Sequence, residues 1–300
     1  MNSMLEAGRF GSGQAVQRIE DAALLSGRGQ FTDDVPAADA GYVAFQRSPH
    51  AHARIVSIDS GEAAAMPGVI AVLTGAELVQ AGIKPIPTAV NFKRPDGRST
   101  VSPPRRALAH EFVRYVGEPV VAVVATSREA ARDAAEAVFV EYEDLPSVSD
   151  VIAATAPGAV VVCAEAPDNV AAEMRHGDAA AVERAFAGAA HAVALDLVNQ
   201  RLAPSALEPR SVLATWEEAS GRLTVRLSNQ MPTSILNSIS DLIPGFTKDN
   251  VRVVVGDVGG GFGMKTGIYP EDLVLAFAAR QLKRPVRWQA ERSEDFQAAV

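Results

Sequence analysis

The sequence Gly256-Asp257-Val258-Gly259-Gly260-Gly261-Phe262-Gly263-Met264-Lys265-Thr266 directly follows the apolar run VRVVV at 251–255, which is a predicted strand. Four of the five residues from Gly259 to Gly263 are glycine. Glycine accepts positive φ angles and lets another group come into contact with main-chain N–H donors. Successive N–H groups that face one way bind anions. We therefore predict that residues 259–265, the glycine loop, bind phosphate, pyrophosphate or a metal-bound oxo group.

Three interpretations of the glycine loop can be weighed from its residues. A P-loop requires Gly-Lys-Ser/Thr after four spacer residues, but here Met264 precedes Lys265-Thr266. A dinucleotide fingerprint requires glycine at the sixth position from Gly259, which is again Met264, and no acidic residue is clearly placed about twenty positions further on. A plain glycine-rich turn between a strand and a helix stays open.

Length and composition narrow the classes of protein that this chain can belong to. Three hundred residues favour two domains, and 48% apolar with 21% charged residues is typical of a globular protein with a sizeable core. The single cysteine, Cys163, excludes an internal disulfide framework and any zinc or iron–sulfur site with several cysteine ligands from this chain. The net charge of −8 provides no basic field for nucleic acid or an anionic membrane.

The sequence contains no targeting or membrane signal that we can identify. Residues 1–14 lack a charged n-region, an apolar h-region and a twin arginine. No uninterrupted apolar stretch approaches the roughly 18 residues that suggest a membrane span. We therefore predict a cytoplasmic protein without a membrane span.

Hydrophobic patterning predicts an α/β protein in four segments. These are an N-terminal arm at 1–17, a first domain at 18–150, a connector at 151–170 and a second domain at 171–300. The predicted strands cover residues 41–46, 53–58, 69–73, 119–125, 138–142, 191–200, 212–216, 222–228, 251–255 and 285–290. The predicted helices cover residues 60–66, 128–137, 177–186, 232–242 and 270–282, and residues 84–106 form a long loop. The strand–helix–strand order at 119–142 predicts a parallel or mixed sheet covered by helices.

Seven residues of the glycine loop, GGGFGMK at 259–265, resemble the GGGFGxK motif of the molybdenum hydroxylases. That family includes xanthine dehydrogenase, aldehyde oxidase and the large subunit of aerobic carbon monoxide dehydrogenase. RIEDAALLSGRGQFTDD at 18–34, RSPHAHA at 47–53 and residues 115–150 resemble its α/β hammerhead domain. Five further segments resemble the start of the family's first molybdopterin-binding domain. They are NQR at 199–201, LEPR at 207–210, SNQMP at 228–232, YPED at 269–272 and RPVRW at 284–288. The resemblance covers nearly all of 18–296 and implies an α/β (α+β) fold, a hammerhead domain followed by the beginning of a molybdopterin-binding domain.

The resemblance also implies a function. The cofactor would be molybdenum–molybdopterin, as such or as the cytosine dinucleotide, and the enzyme would oxidise a small aldehyde or N-heterocycle with oxygen derived from water. Electrons would leave through iron–sulfur clusters and FAD, which belong to partner chains. Activity would require the missing C-terminal domains or partner subunits. The alternative is a non-catalytic scaffold subunit that completes the cofactor site of a partner chain.

The resemblance assigns site residues by motif. Gln230 and Phe262 would be catalytic, and Gln230, Gly260, Gly261, Phe262 and Gly263 would bind the cofactor. The chain would supply no direct molybdenum ligand, because Gln230 and Gly263 would approach the metal through its oxygen ligands. Neutral amide and main-chain donors can stabilise such oxygens without adding a buried charge. The general base is expected beyond Val300, and the substrate-side contacts stay open because Thr233-Ser234 departs from the family's usual residues after SNQMP.

The other polar candidates are expected to have structural roles. His50 and His52 could be metal ligands on one strand, but no further ligand lies nearby in the sequence. Glu208 is expected to hold the backbone near Arg210 rather than face an active site, and Asp257 to brace the glycine loop through N–H bonds. The remaining candidates are a buried inert thiol at Cys163, isolated histidines at His110, His176 and His191, and solvated acids at Glu141, Glu143 and Asp144.

Overall fold

The computed structural model describes residues 18–88, 90–200 and 202–298, so the predicted arm at 1–17 lies outside the described residues. The helices are α1 Asp21–Leu24, α2 Gly61–Ala65, α3 Gly75–Gln80, α4 Arg128–Glu136, α5 Val151–Ala154, α6 Ala179–Ala187, α7 Pro232–Leu242, α8 Pro270–Leu282 and α9 Arg292–Ala298. The strands are β1 Gly41–Arg47, β2 Ala53–Asp59, β3 Val69–Thr74, β4 Phe112–Val113, β5 Pro119–Ala125, β6 Phe139–Asp144, β7 Ser211–Glu217, β8 Arg222–Leu227, β9 Val251–Val254 and β10 Val286–Gln289.

A seven-stranded mixed sheet organises the chain, with strand order β3-β5-β1-β10-β7-β8-β9. The pairs β1–β10 and β8–β9 are parallel, and the other pairs are antiparallel. Every residue of β5 (PVVAVVA) is buried, as expected of a continuous apolar strand covered on both faces. The predicted mixed sheet is therefore confirmed.

The prediction that β5 and β6 belong to one strand–helix–strand unit of that sheet is wrong. β6 instead pairs with β2 in a second, three-stranded sheet of order β4-β2-β6. The physical reason lies in the sequence of β6, FVEYED, which alternates half-buried and exposed positions. Such a strand suits a sheet with one solvated face, whereas β5 requires two covered faces.

The large sheet is continuous across the predicted boundary between the two domains. Its strands β3, β5 and β1 come from the first predicted domain, and β10, β7, β8 and β9 come from the second. The junction is the parallel pairing of Gly41 with Val286 and of Tyr42 with Arg287. The domain boundaries themselves stay predictions.

Two helices place the second half of the sheet and the glycine loop. In α7, the buried residues Ile235, Ile239 and Leu242 follow helical spacing on one face. In α8, every residue from Pro270 to Ala279 is buried, so this helix lies inside the core and directly after the glycine loop. The predicted helices 232–242 and 270–282 are both confirmed.

Helix caps also follow the sequence. The side chains of Thr74, Ser127 and Asp178 accept hydrogen bonds from the first turns of α3, α4 and α6. Ser60 directly precedes α2, but its side chain makes no capping bond. Residues 84–88 and 90–106 are largely irregular, with isolated bridges between Ile86 and Arg105 and between Lys93 and Ser99.

The predicted strand at 191–200 is wrong for the structure described. This segment forms no strand, and its apolar residues Val193, Leu195 and Leu197 are exposed. The alternating sequence is suited to a strand, but a strand needs a neighbour to satisfy its backbone, and no described strand pairs with this segment. Helix α9 and the short β4 were not predicted. Among the described residues, no helix has the length and apolar character needed to cross a membrane.

Candidate functional site

The glycine loop connects β9 to α8 through an irregular backbone. Gly260 and Gly263 have φ angles of 98° and 89°. Phe262, between them, has a φ of 51° and a side chain that is 75% exposed. A left-handed conformation is uncommon for an aromatic residue, and an exposed phenylalanine gains nothing from burial. Phe262 therefore does not owe its backbone conformation or its exposed ring to packing in the core of the described chain.

Gln230 lies against this loop, shortly after the end of β8. Its main-chain N–H donates to the Lys265 carbonyl over 2.7 Å, and its Oε1 accepts from the Gly263 N–H over 3.2 Å. A Cβ atom at Gly261 would lie 2.4 Å from the same Oε1. Because real Cβ atoms do not come so close, glycine at position 261 is what allows the Gln230 amide to rest on the loop.

The loop presents hydrogen-bond donors without partners. Within the described ranges, the main-chain N–H groups of Gly260, Gly261 and Phe262 donate to no protein group, nor does the Gln230 Nε2. Three successive free N–H groups beside a side-chain amide form a neutral donor set. The structure thus brings all the predicted cofactor-binding residues together.

A buried polar cluster holds the two ends of the glycine loop. Lys265 is 1% exposed, and its Nζ donates to the Glu208 carbonyl at 2.9 Å, to Glu208 Oε2 at 3.0 Å and to Ser228 Oγ at 2.7 Å. Glu208 Oε2 also accepts from the Gly259 N–H over 2.8 Å. Burial lowers the pKa of Lys265, and its contacts with Glu208 oppose that effect. We call Lys265, Glu208 and Ser228 the loop clamp.

The loop clamp revises what the sequence predicted for Glu208. Its expected structural role agrees with these contacts, but the carboxylate holds the glycine loop and Lys265 rather than the backbone near Arg210. Lys265 was not singled out as a functional residue. The available signal was the lysine that ends GGGFGMK, a long charged side chain that directly precedes a core helix.

A second buried network of charges joins the two halves of the chain. Glu271 at the start of α8 accepts from Arg47 Nη2 at 2.8 Å and from Arg210 Nη1 at 3.1 Å. Arg210 Nε also donates to Asp295 at 2.9 Å, and Arg47 Nε to Glu294 at 2.9 Å. Burial acts to raise the pKa of Glu271, but Arg210 and Arg47 outweigh it and hold the pKa at about 2. The sequence indicated only that Glu271 lies in a helix's first turn.

The two histidines of the first predicted domain have structural partners. His50 Nδ1 lies 2.6 Å from an oxygen of Asp144, and its ring packs on Tyr142 with centroids 4.6 Å apart. His52 Nδ1 lies 2.9 Å from the Pro146 carbonyl oxygen. Among the described residues, no three or more His, Cys, Asp or Glu side chains are grouped to hold a metal ion. The isolated histidines are half-buried at His110 and exposed at His176 and His191.

The remaining candidates divide between confirmed and corrected predictions. Glu141, Glu143 and Asp144 are exposed on β6, as predicted. Asp257 does not brace the glycine loop; its Oδ2 accepts from the Gln30 N–H over 2.6 Å and so holds an N-terminal segment against the start of the loop. Cys163 is half-buried rather than buried, because it lies in an irregular connector and not in the apolar core.

Comparison with known proteins gives the two halves of the chain separate matches. Residues 162–300 match the family described as molybdopterin cofactor-binding domain, and residues 26–146 match the aldehyde oxidase and xanthine dehydrogenase a/b hammerhead domain. The nicotine 6-hydroxylase large subunit of Paenarthrobacter nicotinovorans is 40% identical over 290 residues, which cover 95% of this chain and 34% of that protein. The carbon monoxide dehydrogenase large chain of Hydrogenophaga pseudoflava is 33% identical over 289 residues, covering 92% and 34% respectively.

A solved structure agrees with these matches. Quinoline 2-oxidoreductase from Pseudomonas putida 86 superposes with a TM-score of 0.86 at 35% identity, over 96% of this chain and 36% of that one. The chain spans about a third of the length of the relatives it matches. It belongs to the molybdenum hydroxylase family, with a hammerhead domain followed by a molybdopterin-binding domain. The predicted fold class is thereby confirmed.

Proposed function

We propose that Gln230 and the glycine loop bind the molybdenum–molybdopterin cofactor of an oxidoreductase, with Gln230 and Phe262 at the reacting centre. The observation that carries this proposal is a set of neutral donors on one loop of a molybdopterin-binding domain, none of which has a partner among the described residues. Gly260, Gly261 and Phe262 offer main-chain N–H groups, and Gln230 offers its Nε2. Their chemistry fits a group that carries oxygen ligands with negative charge.

The residues of this chain would act by orienting and polarising. The Gly263 N–H holds Gln230 Oε1, so the amide is fixed with its Nε2 available as a donor. Gly261 leaves space for that amide, since a side chain at 261 would occupy the position of Oε1. Donors fixed in advance stabilise developing negative charge on oxygen without reorganising during the reaction. When bound, the cofactor supplies the two-electron oxidation of a substrate carbon with oxygen from water.

Phe262 would shape the substrate side of this centre. Its ring is exposed although its backbone is held in a left-handed conformation. An apolar ring next to a polar donor set can exclude water and give a flat substrate a surface to pack on. We therefore assign Phe262 to substrate positioning.

The substrate class and the partners extend the same proposal. We propose a small aldehyde or N-heterocycle as substrate, supported by relatives whose names specify nicotine and quinoline, both N-heterocycles. We propose separate iron–sulfur and FAD partners because the relatives are named as large subunits or chains. The pterin would be bound as molybdopterin or its cytosine dinucleotide, and the complex would be cytoplasmic.

The test uses the natural full-length protein purified with its partners. Gln230→Ala should keep the fold but lower turnover about 100-fold or more, as expected for the loss of one oriented donor. Gln281→Ala, which removes an exposed glutamine amide on α8, is the matched control and should leave turnover unchanged. A folded parent complex without molybdenum would contradict the proposal. A complex with molybdenum but full turnover after Gln230→Ala would favour the scaffold alternative for this chain.

A further inference from the structure

The loop clamp joins both ends of the glycine loop at one carboxylate oxygen. Glu208 Oε2 accepts from the Gly259 N–H at 2.8 Å, where the loop begins, and from Lys265 Nζ at 3.0 Å, where it ends. Between these two points lie the N–H groups of residues 260–262, which have no acceptor in the part of the chain that the structure describes. The Glu208 carboxylate thus links the two ends of the loop.

Lys265 also connects the loop to Gln230. Its Nζ donates to Ser228 Oγ over 2.7 Å, and its carbonyl accepts from the Gln230 N–H over 2.7 Å. A displacement of Lys265 would therefore move the loop, the end of β8 and the Gln230 amide together.

Charge balance indicates what the clamp does. The Lys265 ammonium is paired with Glu208, so the two add no net charge beneath the donor set. All three N–H donors of the ammonium have acceptors, and the side chain is 0% exposed. A buried pair of this kind is a poor source of stability, since its desolvation offsets its attraction, but it can fix one geometry.

We propose that Lys265 is a positioning residue that sets the shape of the glycine loop and the place of Gln230 through Glu208 and Ser228. The inference rests on the function proposed above, because the loop that Lys265 shapes is the proposed cofactor site. Lys265 does not touch the cofactor; it acts through the residues that do.

The experiment separates positioning from simple stability with a double variant of the full-length protein and its partners. Lys265→Met leaves the largely buried Glu208 carboxylate without its positively charged partner and should destabilise the fold. Lys265→Met combined with Glu208→Gln removes both charges, so the fold should recover, while the ammonium's bonds to the loop stay absent. Lys248→Met, at an exposed lysine, is the matched control.

Amide hydrogen exchange is measured at Gly259, Gly263 and Met264, whose N–H groups are hydrogen-bonded, on protein prepared without molybdenum. We expect exchange about tenfold faster or more in both Lys265 variants, with β9 unchanged in the double variant, because hydrogen bonds to a charged group hold the loop closed. Molybdenum content after loading should fall in the double variant although its unfolding midpoint matches the parent. Parental exchange and parental molybdenum content in a folded double variant would overturn the inference.

The two proposals fail in different ways. If the parent complex never binds molybdenum, the proposed function is wrong, and the exchange rates alone then decide whether Lys265 positions the loop. If the parent binds molybdenum and the double variant binds it equally with an unchanged loop, only the positioning role is wrong.

Discussion

Replacing Glu271 by glutamine tests the buried network that joins the two halves of the sheet. Glu271 is 0% exposed and accepts hydrogen bonds from Arg47 and Arg210 on opposite halves of the chain. Glutamine has nearly the same shape but no charge, and its amide NH₂ would face a guanidinium that also only donates. The variant therefore leaves Arg47 with Glu294 and Arg210 with Asp295, but it removes the carboxylate that the two buried arginines share and puts an amide donor in its place.

The shifted pKa of Glu271 gives the size of its contribution to the free energy of unfolding. The two arginines hold the pKa of Glu271 at about 2 against an ordinary value of 4.5. One pKa unit corresponds to about 1.4 kcal/mol, so the charged carboxylate contributes about 3 kcal/mol. Breaking a buried ion pair costs about 3–5 kcal/mol. We expect Glu271→Gln to lower the free energy of unfolding by about that amount at pH 7.

The stabilisation contributed by Glu271 is lost in acid and not in alkali. Because the folded pKa lies below the unfolded one, the stabilisation is fully present above about pH 4.5 and is lost as the pH falls towards 2. Urea denaturation followed by circular dichroism should show a large difference between parent and variant at neutral pH that shrinks in acid. Glu143→Gln, at the exposed pair with Arg54, is the control and should cost less than about 1 kcal/mol. An equal loss of unfolding free energy in Glu271→Gln and Glu143→Gln would refute the reasoning.

Three further substitutions test the site and the core. Gly261→Ala should push the exposed Gln230 amide off the loop, costing less than about 1 kcal/mol in stability but lowering turnover about 100-fold. Gly75→Ala would place a Cβ 2.1 Å from the Ala109 carbonyl oxygen, and denaturation should show a loss of about 3 kcal/mol. Burial raises the pKa of Glu118 to about 7. Because the unfolded carboxyl ionises at about 4.5, the parent loses stability as the pH rises from about 4.5 to 7. Glu118→Gln has no proton to lose there, so it should be about 3 kcal/mol more stable than the parent at pH 8.

Controls for these variants are available in the same chain. A Cβ at Gly267 would meet nothing within 4 Å, so Gly267→Ala should change neither turnover nor stability appreciably. If Gly261→Ala behaves like Gly267→Ala, Gln230 does not depend on the close approach at 261. If the stability of Glu118→Gln follows the same pH profile as the parent, the carboxyl of Glu118 is not protonated in the folded protein.

Local sequence predicted the elements whose signals are local. β5 is a continuous apolar run, α8 begins at Pro270 with two acidic residues, and Thr74 and Ser127 are favourable caps. The pairing of β6 with β2 was not predicted, because a strand's neighbours are set by packing between distant segments. The strand expected at 191–200 needs a neighbour that no described strand supplies.

In the candidate site, too, local motifs were predicted and contacts between distant residues were not. The motif identified Gln230 and the glycine loop, and the structure brings them into contact. The loop clamp escaped prediction because Glu208 and Lys265 are 57 residues apart in the sequence and meet only through the folded sheet. The network of Arg47, Arg210 and Glu271 was missed for the same reason: each residue alone is an ordinary surface charge type, and burial is what makes them a unit.

The most direct test is a high-resolution structure of the full-length protein, purified with its partners and loaded with molybdenum. The measured quantity is the distance from Gln230 Nε2 to the nearest oxygen ligand of the metal. We predict a hydrogen-bond distance of about 3 Å, with the N–H groups of residues 260–262 facing the same group. A molybdenum centre bound elsewhere, with the glycine loop turned to solvent, would contradict the proposed function.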